Sequence, residues 1–328
     1  MPQLMISLDK KILDPQSAVA RRMIQYGEKD SLHIIIPCSE KKEVQLSPQV
    51  RAVGSGAASK WRQWGRLYAM GEEYLKKNKV DIISAQDPFF IGLTAVWLGR
   101  QFHCPTEIQV HGDFYSSEYY RRSGGLNWMR FQIGKYVLRR ANRVRVVGQR
   151  VKRSLIEKLG IAESKIILRP VSGRPPADAQ FDLHQRYFQF NKIFVVIGRL
   201  DPVKNIPWLL GVFKLVTNQM PGCGLIIVGN GPQKLLLQKL AQNLRLDQQT
   251  IFTGWTDEVW SYMKTADAVL FPSLSEGYGL VPMEAVQAGA KVIMTDVGVA
   301  NYELKPSDQV RIVPVGDKDA FIKEMFAV

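Results

Sequence analysis

Short runs of apolar residues alternate with longer stretches whose apolar positions recur at helical spacing, and this rhythm holds along most of the chain. Runs at 4–8, 32–36, 80–84, 107–110, 143–147 and 165–168 read as strands; the stretches 15–28, 61–77, 89–102 and one ending at 159 read as the helices between them. Such alternation predicts a parallel sheet with helices on both faces, because a strand can rejoin its neighbour in parallel only through a crossover that packs on the sheet. The rhythm stops at Ser172-Gly-Arg-Pro-Pro-Ala-Asp-Ala, where Gly and Pro disfavour both regular structures. It resumes with runs at 192–197, 224–228, 250–253, 268–271, 291–294 and 310–313. The expected architecture is α/β with two doubly wound, Rossmann-like domains: 1–172, a linker 173–191, and 192–328. Ligands of such folds sit beyond the carboxyl ends of the strands, so two of them are expected to face each other across a cleft.

The stretch between the runs at 268–271 and 291–294 carries the densest chemistry. It reads Ser275-Glu-Gly-Tyr-Gly-Leu-Val-Pro-Met-Glu-Ala, a strand-loop-helix turn. Pro282 suits the first helical position, which places Glu284 in the first turn and Glu276 in the preceding loop. Gly277 and Gly279 permit a sharp turn and close approach of a ligand, and the free amides at the helix start favour an anion. Carboxylates repel phosphate but accept hydrogen bonds from vicinal hydroxyls, so the turn suits an anion that carries hydroxyl groups. Taken singly, Glu284 complements a helix dipole and Glu276 is a solvated loop residue; the combined pattern favours the site.

Glu276, Glu284 and the Glu-Gly-Tyr-Gly-Leu loop between them resemble the Glu-x7-Glu signature of retaining GT-B glycosyltransferases, family 4 in particular. The resemblance implies a GT-B fold and transfer of a sugar from a nucleotide diphosphate, with retention of configuration, to a glycan or lipid-linked acceptor. UDP or GDP sugars are the leading donors it implies. It makes Gly277, Tyr278, Gly279 and Leu280 donor contacts, Glu276 the residue orienting the donor sugar, and Glu284 the partner of the ribose hydroxyls. Gly198-Arg-Leu-Asp-Pro-Val-Lys-Asn is similar to the family's Gly-Arg-Leu-x-Pro-x-Lys-Gly segment, so Arg199 and Lys204 are expected on the diphosphate; Asn205 stands where Gly is common. Gly229 and Gly231 in Val228-Gly-Asn-Gly-Pro are similar to its strand-to-helix turn, and Gly254 with Trp255 to the turn beside the nucleobase. A dinucleotide fingerprint would need a third glycine at 234, where Lys stands. In the first half, His111 of Val110-His-Gly-Asp resembles the reaction-centre histidine, with Asp113 beside it. Lys10 and Lys11 stand in a first loop that lacks the family's Gly-Gly pair and are expected to compensate on the acceptor or phosphate side. Leu168-Arg-Pro-Val-Ser-Gly-Arg174 also departs from the family's Pro-Asn-Gly-Val-Asp.

Charge adds a second theme. The net charge is +14, and residues 1–188 hold all of it, with 31 basic and 17 acidic residues against 13 and 13 in 189–328. Between Tyr119 and Ile156 eleven lysines and arginines, Arg121 and Arg122 among them, face no acid. Leu126, Met129, Ile133, Val137 and Ala141 recur there at helical spacing, so one face should pack and the cations be its solvated side; docking on an anionic membrane surface is favoured slightly over that plain reading. Trp61, Trp64 and Tyr68 beside Lys60, Arg62 and Arg66 form a second basic-aromatic stretch suited to interfaces. Nucleic acid is not the expected partner. The rival reading is a non-catalytic basic protein that keeps the GT-B fold and binds membrane or polynucleotide; steep salt dependence without nucleotide-sugar binding would mark it. No run approaches a membrane span and the N-terminus reads as a strand, so the expected place is the cytoplasm or the inner membrane face, in envelope polysaccharide synthesis. Cys38, Cys104 and Cys223 lack metal-ligand spacing, Asp317 reads as a helix cap rather than half of a metal pair, and neither cofactor nor metal is expected. Against the family's usual crossing helices, the last helix reads as shortened at Val328.

Overall fold

The computed structural model describes residues 2–116, 125–171, 173 and 175–328, with the side chain of Leu126 left out. Arg121, Arg122, Ser172 and Arg174 lie outside the described residues. The chain forms two compact units, Met1–Val147 with Val151–Arg169, and Gly148–Arg150 with Pro170–Val328.

The first unit is built on an eight-stranded sheet. Its strands are β1 (Gln3–Ile6), β2 (Leu32–Ile36), β3 (Glu43–Ser47), β4 (Val50–Gly54), β5 (Ile82–Ala85), β6 (Thr106–Val110), β7 (Arg143–Val146) and β8 (Ile166–Leu168), in the order β3-β4-β2-β1-β5-β6-β7-β8. All neighbours are parallel except β3 with β4. The helices are α1 (Ala18–Gly27), α2 (Lys60–Lys77), α3 (Phe90–Gln101), α4 (Gly125–Arg140) and α5 (Gln149–Leu159). Ser17 and Ser59 cap α1 and α2, each accepting from the amide three residues on, so their hydroxyls satisfy donors the helix cannot. The β3-β4 hairpin departs from the sequence expectation. Its strands alternate exposed Glu43, Gln45 and Arg51 with inward Val44, Leu46, Val50 and Ala52, so the hairpin lacks the solid apolar run that marks strands buried on both faces.

The second unit holds six parallel strands: β9 (Lys192–Ile197), β10 (Cys223–Val228), β11 (Thr250–Gly254), β12 (Ala268–Phe271), β13 (Val292–Thr295) and β14 (Val310–Val313). Its helices are α6 (Leu183–Arg186), α7 (Ile206–Gln219), α8 (Lys234–Asn243), α9 (Val259–Thr265), α10 (Leu280–Gln287) and α11 (Lys318–Phe326). Successive residues of β9 serve opposite cores: Ile193, Val195 and Ile197 pack in one, Phe194 and Val196 in the other. That division is the two-residue period of a strand covered on both faces. Strand order is β11-β10-β9-β12-β13-β14, so the chain winds outward from β9 in one direction and then returns to wind in the other. The reversal leaves the loops after β9 and β12 to diverge at one point of the sheet edge, where this fold class receives its ligand.

Two expectations need correction here. Residues 181–190 do not act as a free linker: Leu183 is fully buried and Phe190 nearly so in the second unit's core, with Phe181 and Tyr187 packed beside them. Pro282 is the third residue of α10, not the first, because Gly279 caps the helix in the left-handed region (φ 105°) and helical geometry starts at Leu280. Pro282 is still tolerated, since the N–H groups of the first turn have no intrahelical acceptor, but Glu284 falls in the second turn. Asp317 does cap α11, accepting from Ala320 N at 3.0 Å.

Candidate functional site

At the reversal point of the second sheet, Lys204 Nζ donates to Glu276 Oε1 at 2.6 Å, with side chains 23% and 14% exposed. Ser273 Oγ donates to the same carboxylate oxygen at 2.7 Å. Thr295 holds the loop from beneath, its hydroxyl donating to the Ser273 carbonyl at 2.6 Å. The loop after β9 therefore meets the loop after β12 through a largely buried ion pair, beside a backbone hydrogen bond from Leu274 N to Val203 O at 2.8 Å. Lys204 ends a short 3-10 turn begun by Pro202, and Asn205, left-handed at φ 56°, starts α7 directly behind it. Gly198, Arg199, Lys204 and Ser273 line a recess of ≈ 220 Å³, including the solvent at its mouth.

Arg199 projects into solvent, its side chain 76% exposed, and Asp201 steadies it through Nε at 2.7 Å and Nη2 at 2.6 Å. Asp201 is itself buried, and its second oxygen has no hydrogen-bond partner among the described residues. Two cations of different exposure thus stand at one sheet edge: Lys204 paired and enclosed, Arg199 tethered and open.

The glycine turns split into two kinds. Gly229 (φ 140°) and Gly231 are glycines because the loop after β9 lies on them; a Cβ would overlap the carbonyl of Gly198 at one and of Leu200 at the other. Their contribution is to seat Arg199's loop. Gly254, hydrogen-bonded through its carbonyl to Gly229 N at 2.8 Å, continues the same edge, and Trp255 next to it is 64% exposed. The Glu276–Leu280 turn is half-exposed, so its backbone is open to a ligand. Gly298 packs beneath it, where a Cβ would lie 2.7 Å from the Cβ of Glu276. Glu284 differs from expectation in accessibility: it is 6% exposed, and the backbone at Gly173 runs over its carboxyl group.

In the first unit, the corresponding sheet edge brings other predicted residues into place. His111 follows β6 directly, open to solvent on one side. Partial desolvation by neighbouring protein atoms, with the nearby charge of Arg145, lowers its pKa and favours neutral imidazole. Asp113 is buried and accepts from Ser116 N at 3.2 Å, which makes it a turn residue. Lys10 and Lys11 are exposed on the 3-10 turn after β1, which Asp9 caps by accepting from Lys11 N at 3.0 Å. Strand register sets Gln109 beside Arg145 across β6 and β7, and one residue past β1 and β5 the Ser7 hydroxyl donates to the Gln86 side-chain carbonyl, which extends a polar row along this edge. Asp87, next in line, is held by Phe89 N at 2.7 Å; burial pushes its carboxyl up to about 6.

Sequence reasoning missed Asp201, Ser273, Thr295, Gly298 and this polar row. Asp201 sits inside a quoted motif and Ser273 immediately after a predicted strand, so position alone offered a hint. The others become neighbours only through strand register.

Comparison with known proteins agrees with this layout. The family described as Glycosyltransferase Family 4 matches residues 17–170, and the family Glycosyl transferases group 1 matches residues 185–327. The alpha-monoglucosyldiacylglycerol synthase of Streptococcus pneumoniae is 26% identical over 70% of this chain and 54% of its own length. The UDP-Gal:alpha-D-GlcNAc-diphosphoundecaprenol alpha-1,3-galactosyltransferase of Escherichia coli is 25% identical over 77% of this chain and 67% of its own. The chain thus spans between half and two thirds of these relatives' lengths. Among solved structures, sucrose-phosphate synthase of Thermosynechococcus elongatus superposes with a TM-score of 0.78 at 20% identity, covering 100% of this chain and 89% of that one. Anabaena HepE in complex with UDP gives 0.73 at 16% identity with the same coverages. With one Rossmann-like unit matched by Glycosyltransferase Family 4 and the other by Glycosyl transferases group 1, the chain belongs to the group 1, family 4 glycosyltransferases and has the GT-B fold.

Proposed function

We propose that this protein transfers a sugar from a nucleotide diphosphate sugar to a lipid-linked or glycan acceptor, with retention of anomeric configuration, and that protein cations rather than a metal offset the leaving group's charge. The observation that carries the reading is the Lys204–Glu276 pair beside Arg199 at the reversal point of the second sheet. A diphosphate arriving there replaces Glu276 as the partner of Lys204, and Glu276 is released to accept hydrogen bonds from the sugar hydroxyls. As the bond between the anomeric carbon and the diphosphate oxygen breaks, negative charge grows on that oxygen. Lys204, Arg199 and the amides of Gly279 and Leu280 stabilise it. The acceptor hydroxyl bonds to the anomeric carbon on the same face and its proton passes to the departing diphosphate. Trp255 is assigned to the base; Glu284 is assigned to the ribose, which it reaches only once the backbone at Gly173 moves off its carboxyl group; His111 in the first unit is assigned to the reacting sugar. As neutral imidazole it can accept or donate one hydrogen bond without adding charge.

Two relatives act, by their names, on a diacylglycerol glycolipid and on a diphosphoundecaprenol glycan, which supports an acceptor held at a membrane and a role in envelope glycolipid or polysaccharide synthesis on the cytoplasmic face. HepE was solved with UDP-glucose and the Escherichia coli relative is named for UDP-Gal, while another relative is named as GDP-mannose-dependent, which supports a UDP or a GDP sugar as donor. The test is a thermal shift series with UDP, GDP, ADP and TDP. One diphosphate should raise the melting temperature in the presence of EDTA; four flat curves would remove the donor site.

A further inference from the structure

The first unit carries a surface that the sugar-transfer site does not use. Trp61, one residue into α2, is 74% exposed, and Trp97 on α3 is 41% exposed. Trp64 joins them, with ring centroids 6.4 Å from Trp61 and 5.8 Å from Trp97, and it is pinned by an indole hydrogen bond to Thr94 Oγ1 at 2.8 Å and an edge contact with Phe90 at 5.6 Å. Two neighbouring helices therefore share one aromatic strip whose ends are open and whose middle is fixed.

Charge around the strip has one sign. Lys60 and Arg62 flank Trp61, both exposed, and Arg100 lies exposed three residues beyond Trp97. The first acids on α2 are Glu72 and Glu73, already paired with Lys76 at 3.0 Å and Lys77 at 2.8 Å. A second copy of the chain would bring these cations against each other, which like charges disfavour. Single-stranded polynucleotide stacks successive bases on aromatic faces, and Trp61, Trp64 and Trp97 meet in tilted contacts, at 57° and 32°, that present no common row of faces. A bilayer fits both features: indoles settle at the headgroup level, and lysines and arginines beside them meet anionic lipid.

We infer that the α2–α3 aromatic strip is a docking surface for anionic phospholipid, with Trp61 and Trp97 seated among the headgroups and Lys60 and Arg62 on their charge. The inference deepens the lipid-acceptor reading, and it is tested without nucleotide sugar, so either can fail alone. The full chain is sedimented with vesicles of phosphatidylethanolamine containing phosphatidylglycerol and with vesicles of phosphatidylcholine alone. Binding should require the anionic lipid and weaken with salt. The variant Trp61→Ala/Trp97→Ala should bind roughly tenfold less, and Lys60→Ala/Arg62→Ala should lose much of the salt dependence. Brominated lipid should quench tryptophan emission in the parent and much less in Trp61→Ala/Trp97→Ala. An unchanged thermal melt, expected because both rings are open, shows that a binding loss is not unfolding; should the double variant melt early, Trp61→Ala alone decides. Equal vesicle binding by parent and variants, absence of binding by the parent, or a dimer or polynucleotide complex lost with Trp61 instead would overturn the assignment.

Discussion

Glu276→Gln separates two roles that most substitutions at this site would blur. The parent carboxylate neutralises Lys204 before the donor arrives, through a contact of 2.6 Å between side chains 23% and 14% exposed. A charge-assisted hydrogen bond of this kind contributes about 1.5–3 kcal/mol. A diphosphate recovers most of that through its own contact with the ammonium, so removing the competitor should leave a surplus of about 1 kcal/mol for binding, roughly fivefold in Kd. Sugar transfer should move the other way. Losing the charged acceptor for the sugar hydroxyls should slow transfer by roughly a hundredfold. Calorimetric titration with free UDP, beside nucleotide release from UDP-glucose in the presence of a membrane lipid extract, reads both quantities. Lys204→Ala supplies the contrast, because there diphosphate affinity and transfer should fall together. If Glu276→Gln weakens UDP binding, or transfers sugar at the parental rate, the reasoning that pairs Lys204 with the diphosphate is wrong.

Other consequences are accessible to simpler measurements. Gly229→Ala forces a Cβ into the Gly198 carbonyl at a φ of 140° and should destabilise the second unit by about 2–4 kcal/mol in urea unfolding, with nucleotide binding reduced in parallel. Asp201→Asn should leave the fold intact while weakening UDP binding by roughly threefold to tenfold, since it lowers the charge that holds Arg199 in place. Trp255 emission should be quenched by nucleotide if the exposed ring stacks on the base, and Trp255→Phe should abolish that change. His33, packed face to face with Tyr74 at 3.9 Å, has its pKa lowered to about 4 by burial and then by Arg51. Between about pH 6.5 and 4 the unfolded chain therefore binds a proton that the folded chain refuses, and stability falls as pH falls, by up to about 3 kcal/mol. His33→Asn should flatten that part of the stability-pH curve.

The alternation of apolar runs and helical spacing was enough to read the parallel sheets and most of their helices, because a strand buried on both faces has few residues that are not apolar. The edge hairpin β3–β4 escaped for the same reason in reverse: Glu43, Gln45 and Arg51 lie at a surface that constrains composition little. Residues 181–190 escaped because Pro and Ala before them mimic a linker, while their burial depends on Thr265 and Ser261 from α9, whose hydroxyls take the amides of Leu183 and Gln180.

For the site, local sequence fixed which residue types stand at which loop ends: Arg199 and Lys204 after one strand, Glu276 after another, His111 at the close of a third. Short motifs hold this information because a turn leaving a strand obeys local backbone rules. Only the tertiary structure decided that Lys204 and Glu276, 72 residues apart, share a proton-donating contact, that Asp201 steadies Arg199, that Glu284 lies under Gly173, and that Trp97 completes the strip begun by Trp61. Those pairings follow from strand order and helix packing, which depend on contacts summed over the whole core, and no stretch of sequence read by itself contains that sum.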